Sequence, residues 1–321
     1  MIPPAEARPR DERTIVVALG GNALQPEGAG GDIHEQFRHT RESLGAVVDL
    51  AGKGWRIAIV HGNGPQIGDE LLRNEFARSA MPPLPLGVLV AATAGWIGYM
   101  IQQSLQNALA RARIERCVAT LITQVIVDPA AADDEPTKPI GRVMDEATAQ
   151  ALARELGWSV GETGGGWRRL VPSPVPTGIV EARQIRQLVF DDIIVIAAGG
   201  GGTPVYHDAV LRLEGVDAVV DKDRAAEVLG REIGASVLLI LTNVEGAYRS
   251  FGSPQQQLIA QLRVEEASAL LAAGEFGSGS MGPKVEAAVS FIRGGGSHAI
   301  IARLDQGLQA AQGEAGTTIV P

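Results

Sequence analysis

Asp221, Lys222 and Asp223 stand in succession just before a helix-like run over residues 224–233. A lysine held between two carboxylates stays charged and keeps a direction. Such a cation can neutralise a phosphoryl group during its transfer. A solvated surface turn is the competing reading of the same triplet, because charge runs usually face water. A second lysine, Lys284, closes the stretch GSGSMGPK (277–284), which opens a helical run over 285–293. This stretch is not a Walker P-loop: Pro283 separates glycine from lysine and no Ser or Thr follows Lys284. A helix N-terminus still suits an anion, and a lysine in a first turn opposes the helix dipole unless an anion lies nearby. The third cation, Lys138, is the only lysine of the acidic, proline-rich stretch 128–142. Pro136 and Pro139 stiffen the Thr137-Lys138 pair between them. That stretch reads either as a solvated excursion or as a semi-rigid flap carrying a cation.

Glycine loops accompany these charges. The continuous apolar run 14–19 reads as a strand buried on both faces, 55–60 as a second strand and 193–198 as a buried strand. Each ends in glycine: Gly20-Gly21-Asn22, then HGNGPQIG (61–68) with Gly62, Asn63 and Gly64, then Gly199 to Thr203 with Gly200 and Gly201. Glycines after a strand let backbone N–H groups point at an anion. Four consecutive glycines are costly in chain entropy and suit a place where backbone must approach something closely. The HGNG spacing is not the dinucleotide fingerprint. His61, at a strand end, is expected to be structural rather than catalytic. The five histidines show no metal-ligand spacing, and with one cysteine a zinc site is not expected. Serine–histidine–acid and paired-glutamate motifs are absent. Phosphoryl transfer to an anionic nucleophile does not need them, since positioning and charge neutralisation do most of the work.

The elements that must carry these groups follow from hydrophobic pattern. One amphipathic helix is expected over 34–51, with Phe37, Leu44, Val47, Val48 and Ala51 on one face. No residue from 79 to 110 is charged. Prolines at its start and Gln102, Gln103, Gln106 and Asn107 at its end favour a buried or subunit-interface helix over a membrane span. Residues 117–127 read as one long strand and 128–176 as an insertion, irregular at 164–169 and 171–176. Further expectations are a short strand end at 218–220, strands at 237–241 and 299–301, helices at 181–190 and 263–273, and an edge strand at 317–320. Strands ending in glycine loops and alternating with helices predict an α/β fold, a mostly parallel sheet with helices on both faces. Ligands in such sheets collect at the carboxyl ends of the strands.

Composition agrees. The chain has 321 residues, 45% of them hydrophobic, and 40 glycines, which suits a compact α/β protein with many tight turns. A formal charge of −9 argues against a nucleic-acid partner, while local lysines can still oppose it around an anionic substrate. Cys117 is the only cysteine, so no intrachain disulfide forms and a reducing, cytoplasmic compartment fits. Beside an apolar run it is expected to be a buried, inert thiol. Residues 1–13 are polar and proline-rich without an apolar signal core, and are expected to be a frayed, disordered tail.

Eight segments together carry a resemblance: VVALGGNAL (16–24), HGNGPQIG (61–68), PTKPIG (136–141), GWRRLVPSP (166–174), AAGGGGTPV (197–205), VDKD (220–223), LTNVEGAY (241–248) and GSMGPKVEAA (279–288). In this order they resemble the carbamate kinases of the amino acid kinase family, from about residue 14 to the C-terminus. The resemblance implies an open three-layer α/β/α sandwich with a protruding flap subdomain. It places a carbamate-side lobe at about 14–180, with the flap at about 128–176, and a nucleotide-side lobe at about 181–321. It implies a homodimer that transfers a phosphoryl group reversibly between ATP and carbamate, giving ADP and carbamoyl phosphate, with Mg²⁺ accompanying the nucleotide. By motif, Gly20, Gly21 and Asn22 would hold the transferring group, and Gly62, Asn63 and Gly64 the carbamate. Lys222 and Lys284 would neutralise charge, Asp223 would orient both, and Lys138 would reach in from the flap. Gly200 and Gly201 would line the anion path, and Thr242, Tyr248 and Met281 the nucleotide pocket. In cells the ATP-forming direction, in arginine catabolism, is implied.

The chain departs from the family pattern at Ala94, where relatives often have glutamine, at Asp133 and Glu135 before the PTKP segment, and at Gly165, where an arginine often stands. Ala18 replaces the lysine that many other kinases of this family carry at the first strand's end. A related small-acid kinase and a catalytically silent nucleotide-binding sensor are the alternatives. The lysine-free first strand counts against most of the former, and intact Lys222, Asp223 and Lys284 count against the latter.

Overall fold

The structure is a computed structural model of the chain and describes residues 11–21, 24, 32–132, 135–163, 165–277 and 281–321. Its centre is an eight-stranded sheet in the order Gln261–Arg263, Thr317–Val320, His298–Arg303, Ala235–Thr242, Asp11–Leu19, Arg56–His61, Ile194–Ile196 and Val118–Thr120. The last six run parallel. Thr317–Val320 pairs antiparallel with His298–Arg303, and Gln261–Arg263 joins it in parallel. The first strand shows why the sheet is buried on both sides. Val16 and Ala18 belong to one core, and Ile15, Val17 and Leu19 to the other. Successive side chains in a strand point to opposite faces, so a continuous apolar run feeds two cores at once.

Helices Ala182–Phe190, Lys222–Ile233 and Met281–Arg293 contribute to the first core. Helices Gly45–Gly52, Leu86–Arg111 and Gly307–Ala311 contribute to the second. The result is the expected three-layer arrangement. The neighbours of the central strand Asp11–Leu19 are Arg56–His61 on one side and Ala235–Thr242 on the other, so the strand order switches there, the position at whose carboxyl ends open α/β sheets take their ligands.

Several expectations need correction. Residues 34–51 form two helices, Ile33–Ser43 and Gly45–Gly52, parted at Leu44. The run 117–127 is two strands. Val118–Thr120 joins the central sheet, and Gln124–Val127 joins a separate four-stranded sheet with Pro176–Ile179, Thr203–Asp208 and Arg212–Gly215. The turn between them is held by Thr123, whose hydroxyl donates to Leu121 O (3.0 Å) and accepts from Ala198 N (2.9 Å). Thr317–Val320 has partners on both sides, so Gln261–Arg263 is the edge strand. Residues 218–220 form no strand, although Ala218, Val219 and Val220 are all buried. The first strand begins at Asp11, three residues before the expected start, and residues 1–10 of the expected tail lie outside the described residues. Cys117 is exposed, not buried.

The insertion is more regular than its glycines and prolines suggested. Lys138–Met144, Gly166–Val171 and Ser159–Thr163 form a three-stranded antiparallel sheet beside helix Glu146–Leu156. Leu86–Arg111 is one long helix, and among the described residues no helix is long and apolar enough to cross a membrane.

Candidate active site

Asp221 caps the helix Lys222–Ile233. Its Oδ1 accepts the backbone N–H groups of Asp223 (2.8 Å) and Arg224 (3.4 Å). An acid is well suited to this position, because it satisfies orphan donors and faces the positive end of the helix dipole. The cap places Lys222 and Asp223 in the first turn. Asp223 is 2% exposed, and its two oxygens face two lysines: Lys222 Nζ at 2.5 Å and Lys284 Nζ at 3.4 Å. Lys284 lies near the start of helix Met281–Arg293. The helices carrying the two lysines are tied together by Arg224, whose Nη2 donates to both oxygens of Glu286 (3.2 and 2.9 Å).

The third lysine arrives from the flap. Lys138 Nζ donates to Asp221 Oδ2 at 2.8 Å. Burial pushes the Asp221 carboxyl up, but the charges of Lys138 and Lys222, the Lys138 hydrogen bond and the Asp223 N–H outweigh it and hold it well below the ordinary carboxylate range. Burial pulls the Lys284 ammonium down and the Lys222 charge pulls it further, against the opposing pull of Asp223 and Asp221. Lys284 is thus a buried cation beside Asp223, and an anion arriving next to it would favour its protonated form.

The glycine loops close around this charge cluster. A Cβ built on Gly62 would lie 3.3 Å from Lys222 Cδ and 3.4 Å from Gly21 N. Gly21, Gly62 and Lys222 therefore converge, with Gly20 beside them at the end of the central strand. A Cβ on Gly201 (φ 92°) would lie 2.1 Å from Val220 O, and one on Gly200 would lie 2.3 Å from Asn63 Nδ2. Both glycines are buried and let the 199–202 loop pack against Asn63 and the segment leading into Asp221. Asn63 is buried, and its Nδ2 donates to Thr93 Oγ1 at 2.9 Å. Gly64 opens helix Gly64–Ala77 with nothing within 4 Å of its Cβ direction.

The remaining expected positions are more scattered. Thr242 ends the strand Ala235–Thr242, next to the central strand. Tyr248, half-buried, donates its hydroxyl to Glu245 (3.1 Å). Met281 opens the helix that carries Lys284 and packs against the first core. Asn22 lies outside the described residues, as do Asp133 and residues 278–280. His61 is fully buried. Burial lowers its pKa to about 4, and its Nδ1–H donates to Gly62 O at 3.0 Å. It is neutral at pH 7 and shapes the loop.

Sequence reasoning quoted Asp221 but did not place it among the site residues. The available signal was its position as an acid directly before a helix. Thr93 was also missed, since nothing in the sequence links it to Asn63 thirty residues earlier. Among the described residues no group of three or more His, Cys, Asp or Glu side chains could hold a metal ion. The carboxylates of Asp221 and Asp223 are taken by lysines. With these two carboxylates engaged, the described residues present no ready-made carboxylate cage for a divalent cation.

The amino acid kinase family model matches residues 13–303. A carbamate kinase of Pyrococcus horikoshii is 47% identical over 311 residues, covering 96% of this chain and 99% of that protein. The chain belongs to the amino acid kinase family, on its carbamate kinase branch. A carbamate kinase of Clostridium perfringens is 42% identical, over 95% of this chain and 99% of that protein. Among solved structures, the carbamate kinase of Giardia lamblia bound to citric acid superimposes with a TM-score of 0.91 at 36% identity, covering 96% of this chain and 98% of that one. The same enzyme bound to AMP-PNP gives a TM-score of 0.87, also at 36% identity.

Proposed function

We propose that this site transfers a phosphoryl group reversibly between ATP and carbamate, giving ADP and carbamoyl phosphate. The observation that carries the reading is Asp223 buried between Lys222 and Lys284, with Lys138 brought in on the flap. Three cations meet where the glycine loops present backbone. This is the equipment for stabilising a transferring phosphoryl group. Carbamate oxygen is already anionic and attacks phosphorus in line, so no general base is needed.

In this reading Lys222 and Lys284 neutralise the charge that spreads over the phosphoryl and ADP oxygens, and Asp223 keeps both ammonium groups aimed. Gly20, Gly21 and Asn22 offer donors to the transferring group, and Gly62, Asn63 and Gly64 to the carbamoyl end. Thr242, Tyr248 and Met281 line the adenine side, and Gly200 and Gly201 shape the anion path. Lys138 moves its hydrogen bonds from Asp221 toward carbamoyl phosphate. Mg²⁺, held by the nucleotide's phosphates, supplies further charge neutralisation when bound.

We further propose a homodimer, cytoplasmic location and a role in arginine catabolism. The dimer reading is supported by exposed Val88, Ala92 and Tyr99 on the uncharged part of helix Leu86–Arg111. The compartment is supported by the single cysteine, and the pathway only by the family resemblance. The test of the activity is ATP formation from ADP with carbamoyl phosphate or acetyl phosphate. Turnover with carbamoyl phosphate alone supports the reading; ADP binding without turnover overturns it in favour of a sensor.

A further inference from the structure

Helix Gly64–Ala77 begins directly after the Gly62-Asn63 loop, and the flap rests on it at one tight point. A Cβ built on Gly68 would lie 2.0 Å from Gly141 Cα and 2.5 Å from Gly141 N, so the two backbones touch with no room for a side chain. The neighbouring residues clamp this contact: Arg142 Nε and Nη2 donate to Asp69 Oδ1 and Oδ2 at 2.8 and 3.0 Å. Bidentate arginine–carboxylate geometry constrains orientation as well as distance. Ile140, next to the contact, is buried in a small core with Ile67 and Leu71 of the helix, and with Val219, two residues before Asp221. Gly141 lies three residues along the same strand from Lys138, a span of about 10 Å in extended chain.

We infer that Gly68, Asp69, Gly141 and Arg142 form a docking point that positions Lys138 over Asp221 for the anionic substrate. They are positioning residues: they act through Lys138 and through the helix that follows the carbamoyl-side loop. A strand clamped three residues away leaves Lys138 little freedom to swing off the site. Without the clamp, its four-carbon stem and the flap both gain freedom, and the entropy of ordering them falls on substrate binding. The identity of that substrate rests on the carbamate kinase reading.

The test uses steady-state ATP formation by Asp69→Asn, Arg142→Met, the double variant and Gly68→Ala. The KM for carbamoyl phosphate is expected to rise about fivefold in each clamp variant, the size of one partly exposed ion pair. The double variant is expected to be no worse than either single one, because one interaction is lost in all three. Gly68→Ala is the sharper variant: alanine favours the helix intrinsically, yet its Cβ must push the flap away, so a KM rise of roughly tenfold or more is expected. KM for ADP stays unchanged in all four. In the residual turnover of Lys138→Ala, adding Arg142→Met changes nothing further.

A loss of kcat with unchanged KM, or a further KM rise in the Lys138→Ala background, overturns the inference. Should the parent protein form no ATP, the functional reading fails separately. Amide exchange then decides the docking point: faster exchange across Lys138–Met144 in Gly68→Ala supports it, and unchanged exchange overturns it.

Discussion

Lys138 Nζ lies 2.8 Å from Asp221 Oδ2 across 83 residues of sequence, while the other oxygen of that carboxylate caps the helix that starts with Lys222. One side chain thus joins the flap to the element that carries the central lysine. The two jobs separate by substitution. Asparagine caps a helix about as well as aspartate, and alanine does not. Asp221→Ala is therefore expected to be less stable than Asp221→Asn by about 1 kcal/mol in urea denaturation; equal stability would remove the cap from the account. The charge shows in acid. The Asp221 carboxyl is held below its ordinary value of 3.8, so its contribution is complete above that value and is lost as pH falls through the folded one. Asp221→Asn should show a shallower loss of stability below pH 3.8.

Lys284 titrates in the opposite sense. Burial and Lys222 lower its pKa from 10.5, so it gives up its proton at a lower pH than a free lysine. ADP affinity should then weaken on an alkaline limb that sets in below 10.5. The Lys284→Met variant should bind ADP more weakly at neutral pH and lack that limb. Titration calorimetry at several pH values is the measurement, and an unchanged limb in the variant would remove Lys284 from the nucleotide site.

His61 is a buried neutral imidazole with a pKa lowered by burial from 6.5 to about 4. Between those values the unfolded chain binds a proton that the folded one does not, so stability falls as pH drops. The drop expected between pH 7 and 4 is roughly 3 kcal/mol. His61→Gln should lose that slope in denaturation curves whatever its stability at neutral pH. A slope equal to the parent's would place the charge change elsewhere.

Gly201→Ala puts a methyl group 2.1 Å from Val220 O at φ 92°. Neither the backbone carbonyl nor the left-handed conformation can yield cheaply. The 199–202 loop must then move away from the segment that leads into Asp221 and Lys222. Soluble protein with turnover reduced about 100-fold is expected, within the range for displacing a phosphoryl-stabilising group. Turnover at the parent's level would mean that the two segments move independently.

Much of this site was legible in the sequence. The runs at 14–19 and 193–198, and 57–60 after Arg56, are almost wholly apolar and lead into glycine loops, so their place in a buried parallel sheet follows from pattern. The Asp221-Lys222-Asp223 triplet announced charge at a helix start, and Lys284 a second one. What the residues could not show is who meets whom. Asn63 and Thr93, Asp69 and Arg142, and Lys138 and Asp221 pair through the fold and carry no local spacing signal. The strand Gly166–Val171 was hidden because its residues up to Leu170 are half-buried on both faces, so no alternation of apolar and polar positions marks it. Thr317–Val320 looked like an edge because four residues cannot reveal how many neighbours they have. The break in 117–127 escaped because Val118–Thr120 and Gln124–Val127 have the same apolar character while serving different sheets.

The measurement that bears most directly on the central claim is ATP formation from ADP and carbamoyl phosphate with Mg²⁺ by the parent and by Lys222→Ala. Lys222 donates to Asp223, and its side chain fills the space a Cβ on Gly62 would need, so its removal should leave the fold intact and lower kcat by about 100-fold or more, as loss of a transition-state donor does. Circular dichroism and melting at the parent's values would certify the fold. Turnover in Lys222→Ala equal to the parent's would contradict the role given to the lysine cluster, and with it the account of how this site moves a phosphoryl group.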